Sequence, residues 1–290
     1  MIYRFIQRES GQYPIRLLCR VMRVHYTAYY AFLRRQQRPP SAAQVRRWRV
    51  ALLVKSCFEH GRGKVGSRTI ARQLCRAGER VGRRLARALM REQDLVCRVR
   101  RARRCTTDSA HDWPLFENRL NQQFEVARPD RVWLCDVTQL RTLEGWGYLA
   151  VVMDCCSRRV VGWSYAGHMR AELVVSALRR AIDFRRPAPR LVVHSDRGAQ
   201  YASAAHRQLL LRHRLVGSMS GRGNAYDNAP VERFFGTLKD HLVVGERTKP
   251  GARMAAEVGR WIETSYNATR PHSALGYLSP SEFEATLRTA

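Results

Sequence analysis

The sequence contains no long apolar run. Crossing a bilayer takes ~18 or more consecutive apolar residues, and no stretch of the 290-residue chain is that long and that apolar. No hydrophobic segment of the kind that directs secretion follows Met1. We therefore expect neither membrane insertion nor secretion, and we expect the protein in the cytosol.

The sequence also lacks paired cysteines. Its eight cysteines are scattered, without a Cys-x-x-Cys pair and without two histidines at zinc-binding spacing. Structural zinc and disulfide bonds are therefore not expected. We expect reduced cysteines that pack as small, mostly buried hydrophobic residues.

Acidic residues are scarce. The chain has 24 Asp and Glu residues against 52 Lys and Arg, a formal charge of +28. Such an excess repels itself unless a polyanion offsets it, so nucleic acid is the expected partner. Residues 1–130 contain 29 of the 52 cations, which places the excess in the N-terminal half. With 45% hydrophobic residues, the chain is still able to bury at least one substantial core.

The N-terminal half has the spacing of short helices. Ile15, Leu18 and Met22 lie at helical intervals, and the pattern recurs between residues 70 and 89. Glycine-rich breaks at 66–68 and 78–83 predict two small helices joined by a turn. This hairpin is either a helix-turn-helix that reads DNA bases or a basic hairpin that packs on the core and contacts only phosphates. Its cations are Arg72, Arg76, Arg83, Arg84, Arg87 and Arg91.

After Pro129 the pattern changes to strands. Three antiparallel strands are predicted at 132–140, 146–153 and 160–165, followed by a helix at 171–184. Short strands at 191–194 and 215–219 enclose a further helix after Tyr201. A meander followed by alternating helices and strands predicts an α/β sheet with helices on its faces. A helix is also predicted at 255–266.

Three carboxylates occupy informative positions in this pattern. Asp136 lies inside the first strand among apolar neighbours, where a bound cation would compensate its charge. Asp196 follows a buried strand, at the end where α/β sheets bind ligands. Glu232 belongs to a helix that begins near Asp227, with Val231, Phe234, Phe235 and Leu238 as its apolar stripe. Each acid also has a purely structural explanation. Asp136 could lie on a solvated strand face, Asp196 could form a turn beside Gly198, and Glu232 could complement the helix dipole.

The order and motifs of these acids resemble a known family. The chain contains the patterns Trp133-x-x-Asp136-x-Thr138, His194-Ser195-Asp196-Arg197-Gly198-x-Gln200-Tyr201, Gly223-Asn224-x-x-Asp227-Asn228-Ala229-x-x-Glu232-x-Phe234-Phe235-x-x-Leu238-Lys239 and Tyr266-Asn267-x-x-Arg270-Pro271-His272. They are similar to the integrase core of the insertion-sequence-three family of bacterial transposases. The segment from Pro14 to Leu33 and the basic hairpin extend the resemblance over the whole chain, which is similar to the product of the family's second reading frame.

The resemblance implies both a fold and a chemistry. It implies a ribonuclease-H-like mixed sheet flanked by helices, with Asp136, Asp196 and Glu232 as catalytic residues and metal ligands. Two Mg2+ ions are expected, with Mn2+ able to substitute, for cleavage at DNA 3′ ends and strand transfer. The expected division is a basic helical DNA-binding region at 1–97, a linker at 98–128, the catalytic core at 129–250 and a C-terminal helix with a basic tail at 251–290. Residues 98–112 are expected to become ordered on DNA.

Several further residues are candidates for DNA contacts. Lys239 follows Glu232 by seven residues on nearly the same helical face, so it is either a phosphate contact or an ordinary solvated lysine. Arg197 and Arg233 are weaker candidates of the same kind. The basic stretch at Arg270 either follows DNA or docks on the core. Asp154 is a rival carboxylate that we interpret as structural.

The same resemblance implies the partners. They are the terminal inverted repeats of the element and its target DNA, with a homo-oligomer assembled on DNA at the nucleoid. In the family an upstream frame contributes a helix-turn-helix and a leucine zipper, and no heptad run is evident here. The chain therefore resembles the downstream product, which acts with or fused to the upstream one. Two alternatives stay open: a DNA-binding regulator of transposition without catalysis, and a ribonuclease-H-like nuclease that cuts RNA–DNA hybrids.

Overall fold

The computed structural model describes residues 2–61, 63–97, 115–221, 225–242 and 249–289. The chain divides into two compact units, Met1–Val54 and Lys55–Ala290. In the described ranges, every helix is too short or too polar to span a bilayer. The seven cysteines in these ranges are all free thiols, and four of them are buried: Cys19, Cys135, Cys155 and Cys156.

The first unit is helical, as its sequence spacing predicts. Its helices are α1 (Ile2–Glu9), α2 (Ile15–Val21), α3 (Tyr26–Gln37) and the first part of α4 (Ala42–His60). Ile6, Leu18, Cys19 and Tyr29 form its buried core. Pro14 immediately precedes α2, where its missing N–H costs no helical hydrogen bond.

The second unit begins with the predicted basic hairpin. Helix α5 (Ser67–Arg76) and helix α6 (Arg83–Glu92) are joined by a turn in which Gly78 has a φ of +87°, a conformation that favours glycine. Ile70 and Leu74 on α5 and Leu89 on α6 are buried. The helical pairing is therefore confirmed, with the charged residues left on the outer surface.

A five-stranded mixed sheet forms the centre of the second unit. The strands are β1 (Val132–Thr142), β2 (Gly145–Asp154), β3 (Val160–Ala166), β4 (Val192–Ser195) and β5 (Val216–Met219). They lie in the order β3-β2-β1-β4-β5. The β1–β2 and β2–β3 pairs are antiparallel, and the β1–β4 and β4–β5 pairs are parallel. This arrangement confirms the predicted ribonuclease-H-like sheet, with strand ends within about two residues of the predicted ones.

Helices cover both faces of the sheet. One face packs against α7 (Ala171–Arg185), α8 (Ala199–Ala202) and α9 (Ala204–Arg212), and the other packs against α10 (Ala229–Leu242) and α11 (Gly251–Arg260). The last helix is α12 (Pro280–Thr289). Helix α11 continues as π-helical turns over Trp261–Asn267, and 3-10 turns occupy Ala225–Asn228 and Ser273–Leu275.

Alternate residues of β1 face two different cores. Trp133 and Cys135 pack with α7, whereas Leu134 and Leu140 pack with α10 and the segment that follows it. Successive strand residues point to opposite faces. Asp136, an even-numbered position, therefore lies on the α10 face.

Part of the expected linker packs on the sheet. Leu120 is buried, and the backbone N–H of Arg119 donates to Ser218 Oγ at 2.9 Å. The ring of Phe116 lies so close to Gly217 that a Cβ there would stand 2.7 Å from it, so this position requires glycine. Residues 115–128 thus belong structurally with the sheet, while the expectation for residues 98–112 falls outside the described residues.

The last helix, α12, is held by one buried carboxylate, Glu284. Arg185 Nη2 donates to Oε1 at 2.6 Å and Arg185 Nη1 donates to Oε2 at 3.0 Å. Arg159 Nη1 donates to Oε2 at 2.8 Å, and Ser157 Oγ donates to Oε1 at 2.7 Å. Burial acts to raise the pKa of Glu284, but these donors hold it below its usual value. Arg185 Nε also bonds Asp130, just before β1, at 3.0 Å.

We expect Glu284→Gln to lower the free energy of unfolding by about 3–5 kcal/mol, because it leaves two arginines without their buried carboxylate. Glu282→Gln is the matched control, since Glu282 lies on the same helix but pairs with Arg76 at the surface. Such an exposed pair contributes about 1 kcal/mol or less. Urea unfolding of both variants at pH 7 measures the difference.

The effect of Glu284→Gln should also depend on pH. The folded-state pKa of Glu284 is depressed, so its contribution is present above the unfolded value of ~4.3 and is lost as pH falls through the folded value. The difference between wild type and variant should therefore shrink in acid. Equal losses in the Glu282 and Glu284 variants at pH 7 would contradict the assignment.

Candidate active site

Two carboxylates lie side by side where the pairing of β1 with β4 ends. Strands β1 and β4 run parallel, and Leu134 opposite His194 is their last pair. Asp136 and Asp196 each lie two residues beyond that pair, and neighbouring strands are about 4.8 Å apart. Both side chains are half-buried. The register itself therefore places these acids next to each other.

Local hydrogen bonds orient both carboxylates. Asp136 Oδ1 accepts from the backbone N–H of Val137 at 2.8 Å. Asp196 Oδ1 accepts from the backbone N–H of Gly198 at 3.0 Å, which turns the chain into α8 directly after β4. In each case one carboxylate oxygen is held by the chain's own backbone.

Glu232 reaches the same region from α10. It is exposed in the first turn of the helix, while the four predicted apolar residues Val231, Phe234, Phe235 and Leu238 are buried. Phe234 packs edge-on against Tyr266, with ring centroids 4.7 Å apart. The apolar face therefore fixes which side of α10 meets the sheet, and Glu232 lies outside that face.

Electrostatics links the three acids. The pKa of Asp136 is raised well above its usual value, first by burial, then by the negative charges of Asp196 and Glu232. The Val137 N–H and the positive charge of Lys239 act in the opposite direction. Among the described residues, however, no three His, Cys, Asp or Glu side chains are arranged closely enough to hold a metal ion. The structure thus brings the acids into electrostatic contact without a closed cage of ligands.

The other predicted site cations divide by exposure. Arg233 and Lys239 are exposed on α10, whereas Arg197 is half-buried and its Nε donates to Ser220 O at 2.7 Å. Arg270 is half-buried, and burial lowers its pKa. His272, two residues later, packs edge-on against Tyr266, with centroids 4.9 Å apart. The stretch around Arg270 therefore docks on the core.

The basic hairpin presents its arginines unequally. On α5, the guanidinium of Arg72 lies 5.4 Å from the ring centroid of Tyr277, and Arg76 Nη1 donates to Tyr277 O at 3.0 Å. On α6, Arg83, Arg84 and Arg87 are all exposed. Helix α5 thus packs against the C-terminal segment, as a hairpin docked on the core would. The arginines of α6 are exposed, as a helix that contacts DNA requires.

Asp227 and Asn228, which precede Glu232 in its sequence motif, make contacts with other segments of the chain. Asn228 Nδ2 donates to the backbone oxygen of Cys135, beside Asp136, at 2.9 Å. Asp227 Oδ2 accepts from the backbone N–H of Gly221 at 2.8 Å. The only available signal was their position in the Glu232 motif. Asn224, which belongs to the same motif, lies outside the described residues.

His194 is another residue whose role the sequence did not reveal. Its Nδ1 lies 2.9 Å from Ser218 Oγ and its Nε2 lies 3.2 Å from Ser220 Oγ. Burial lowers its pKa to about 4, so the ring is neutral at pH 7. His194, two residues before Asp196, therefore connects β4 to β5 and to the residue that follows it.

Asp154 has the structural role expected for it. It is fully buried, and its oxygens accept from Ser157 N at 2.8 Å and Asp130 N at 2.7 Å. Ser157 Oγ, which shares its one hydrogen with Glu284, is a longer donor at 3.1 Å. All three contacts close the β2–β3 turn and the approach to β1. Asp154 is not among the charges that act on Asp136.

Comparison with known domains assigns three parts of the chain. Residues 126–225 and 214–280 match two models described as integrase core domain. Residues 44–103 match a model described as HTH-like domain. The first two spans contain all three carboxylates, and the third contains the basic hairpin.

Solved structures show weaker likeness. The chain aligns with the catalytic core domain of HTLV-2 integrase at 17% identity and a TM-score of 0.44, covering 54% of this chain and 97% of that one. It aligns with the simian T-cell lymphotropic virus intasome at 17% identity and a TM-score of 0.43, covering 72% and 67%. Because these identities and TM-scores are low, the family is assigned from relatives that are similar in sequence.

Those relatives match almost end to end. Transposase InsF for insertion sequence IS3A of Escherichia coli (strain K12) is 39% identical over 98% of this chain and 98% of its own length. The uncharacterized 31 kDa protein of insertion element IS600 from Shigella sonnei is 38% identical over 92% and 97%. With relatives at this identity and coverage, the chain belongs to the IS3 family of insertion-sequence transposases.

Proposed function

We propose that this transposase cleaves DNA at 3′ ends and transfers those ends to target DNA with Asp136, Asp196 and Glu232 as its catalytic residues. The observation that carries the proposal is the register of β1 and β4, which places Asp136 and Asp196 side by side just beyond the last β1–β4 pair. The charges of Asp196 and Glu232 both act on Asp136, which supports grouping the three acids in one site. Cleavage and strand transfer displace the same kind of 3′ oxygen, by water in one step and by a 3′-hydroxyl in the other. One site therefore serves both, without a covalent protein–DNA intermediate.

The donor set fits a hard divalent cation. Mg2+ binds carboxylate oxygens, and Asp136, Asp196 and Glu232 would hold it, with Mn2+ as a substitute. Two such ions, when bound, supply the Lewis acidity that activates the attacking oxygen and stabilises the leaving one. The raised pKa of Asp136 supports this assignment, because burial and then the charges of Asp196 and Glu232 disfavour its ionised form, and a bound cation would offset both effects.

The surrounding cations bind and orient DNA in this proposal. Lys239 and Arg233 are exposed on the helix that carries Glu232, where they would contact the phosphates that flank the scissile bond. Arg197 is bonded to Ser220 O, so it would position the loop after Asp196 as well as contact DNA. Arg83, Arg84 and Arg87 on α6 would bind the terminal inverted repeats.

Assembly is proposed on the same basis. The family implies a four-part division of the chain, in which we now place residues 115–128 with the catalytic core instead of the linker. It also implies a homo-oligomer on paired DNA ends and action with or fused to an upstream-frame product. Location at the nucleoid would follow from the +28 charge and DNA binding.

We expect Asp196→Asn to abolish Mg2+-dependent cleavage and joining of element-end DNA while leaving DNA binding within about twofold. The substitution removes a metal-binding charge but preserves the side chain's size. Cleavage gels and gel-shift titrations on the same duplex measure the two effects. Asp183→Asn on α7 is the control and should retain activity.

Three results would contradict this assignment. Equal activity in wild type and Asp196→Asn would exclude Asp196 from catalysis. Cleavage of an RNA–DNA hybrid without joining of a 3′ end to target DNA would favour a nuclease, and binding without any reaction would favour a regulator.

We expect Asp136→Asn to stabilise the metal-free protein at pH 7 by about 0.5–2 kcal/mol, the gain that a single stabilising substitution commonly gives. The folded-state pKa of Asp136 lies above the unfolded value of ~3.9, so its ionised form is disfavoured on folding. Wild-type stability should therefore fall as pH rises through that range, and the gain should vanish in acid. Thermal unfolding in EDTA at pH 7 and pH 3.5 measures this.

Asp154→Asn is the matched control for charge removal from a buried aspartate. Burial raises the pKa of Asp154 as well, but three donors depend on its oxygens. Its replacement should lower stability by about 1–3 kcal/mol. A loss of stability in Asp136→Asn would show that the acids do not repel one another as proposed.

We expect Arg84→Gln/Arg87→Gln to weaken DNA binding and to reduce the salt dependence of binding. Each phosphate contact contributes ~0.9 to the slope of log K against log salt, so the double variant should lose about 1.8. Arg179→Gln/Arg212→Gln is the matched control, since these exposed arginines lie on α7 and α9. An unchanged slope in the first pair would remove α6 from the DNA interface.

A further inference from the structure

Asn228 connects the strand that carries one acid to the helix that carries another. It ends the 3-10 turn before α10 and lies four residues before Glu232, one helical turn away. Its Nδ2 donates to the backbone oxygen of Cys135 at 2.9 Å, and Cys135 directly precedes Asp136. The side chain is 5% exposed. A single buried amide therefore ties the start of α10 to β1 at the position of the acid.

Asp227 makes the corresponding connection toward Asp196. Its Oδ2 accepts from Gly221 N at 2.8 Å and from Asn118 Nδ2 at 2.9 Å. Gly221 follows Ser220, whose Oγ and N–H both donate to the backbone oxygen of Ser195, directly before Asp196. The same 3-10 turn is therefore bonded to the segments beside both strand carboxylates.

Packing alone would not set the position of Glu232. The apolar residues of α10 determine which face of the helix meets the sheet, but apolar contacts are non-directional and tolerate sliding along the helix axis. Hydrogen bonds fix distance and angle. The bonds from the 3-10 turn are thus the contacts able to fix the axial position of α10 relative to β1 and β4.

Folding stability does not by itself explain a buried asparagine at this position. Within the described part of the chain, Asn228 Oδ1 has no hydrogen-bond partner. A buried amide that is only half satisfied is unfavourable compared with an apolar side chain of the same shape.

We propose that Asn228, supported by Asp227, is a positioning residue that holds Glu232 in register with Asp136 and Asp196 for binding divalent cations. The inference rests on the proposed function of the three acids. Residues behind metal ligands typically change metal affinity or activity 10–100-fold when replaced.

Asn267 provides a matched control. It is also a buried asparagine bonded to a strand backbone, accepting from Val160 N at 3.0 Å and donating to Val160 O at 3.0 Å. Val160 begins β3, the edge strand on the opposite side of β2 from β1. Its replacement should lower stability without acting on the acids.

The test uses the full chain with Asn228→Ala, Asn228→Leu, Asn267→Ala and Asp136→Asn. Leu keeps the branched shape of Asn but has no donor, so it separates the hydrogen bond from packing. The first readout is the Mn2+ concentration that gives half of the metal-induced rise in melting temperature, without DNA. The second is the Mg2+ dependence of element-end cleavage, and the third is the melting temperature in EDTA.

We expect both Asn228 variants to need 10–100-fold more Mn2+ and Mg2+, whatever their melting temperature in EDTA. Asn267→Ala should melt at a lower temperature but keep the wild-type metal midpoints. Wild-type midpoints in Asn228→Leu, or an equal shift in Asn267→Ala, would overturn the positioning role while leaving the three acids assigned. An unchanged Mn2+ response in Asp136→Asn would overturn the proposed metal site itself, and the inference with it.

Discussion

Mutual repulsion between carboxylates is the constraint on which the rest of the second unit depends. Asp136 and Asp196 emerge from adjacent parallel strands, and their register leaves them no freedom to separate. Glu232 adds a third negative charge from α10. An isolated helix would move away from two such charges, so α10 has to be held from elsewhere. The buried aromatic face around Phe234 and Tyr266 and the hydrogen bonds of the 3-10 turn provide that restraint.

The sheet could be predicted because its signals are local. Period-two alternation and turn residues located all five strands to within about two residues, and the capping pattern located α10. The role of each acid was ambiguous when the residue was considered alone. Their order along the chain and the motifs around them indicated that they belong to one site. The apolar stripe of α10 was also evident from spacing, since burial of Val231, Phe234, Phe235 and Leu238 follows directly from a 3.6-residue period.

The remaining contacts depend on which distant segments meet, and no local pattern encodes that. Glu284 and Arg185 are separated by about a hundred positions, yet they form a bidentate buried pair. Arg72 and Arg76 were evident only as cations of the basic hairpin, and their contacts with Tyr277 could not be foreseen. Asn228 was evident only as a member of the Glu232 motif, which does not reveal that its side chain bonds Cys135 O. Long-range polar contacts are therefore where sequence reasoning had least to work with.

The buried pair at Glu284 has a genetic consequence. Glu284 is position 284 of 290 in this sequence. Arg185 and Arg159, which both donate to it, lie about a hundred or more positions earlier in the chain. A stop codon just upstream of position 284 would leave the coding region for the whole sheet and all three acids intact, but it would remove the carboxylate that Arg185 and Arg159 share. Such a stop codon should therefore lower the stability of the folded unit although every acid of the candidate site is still encoded.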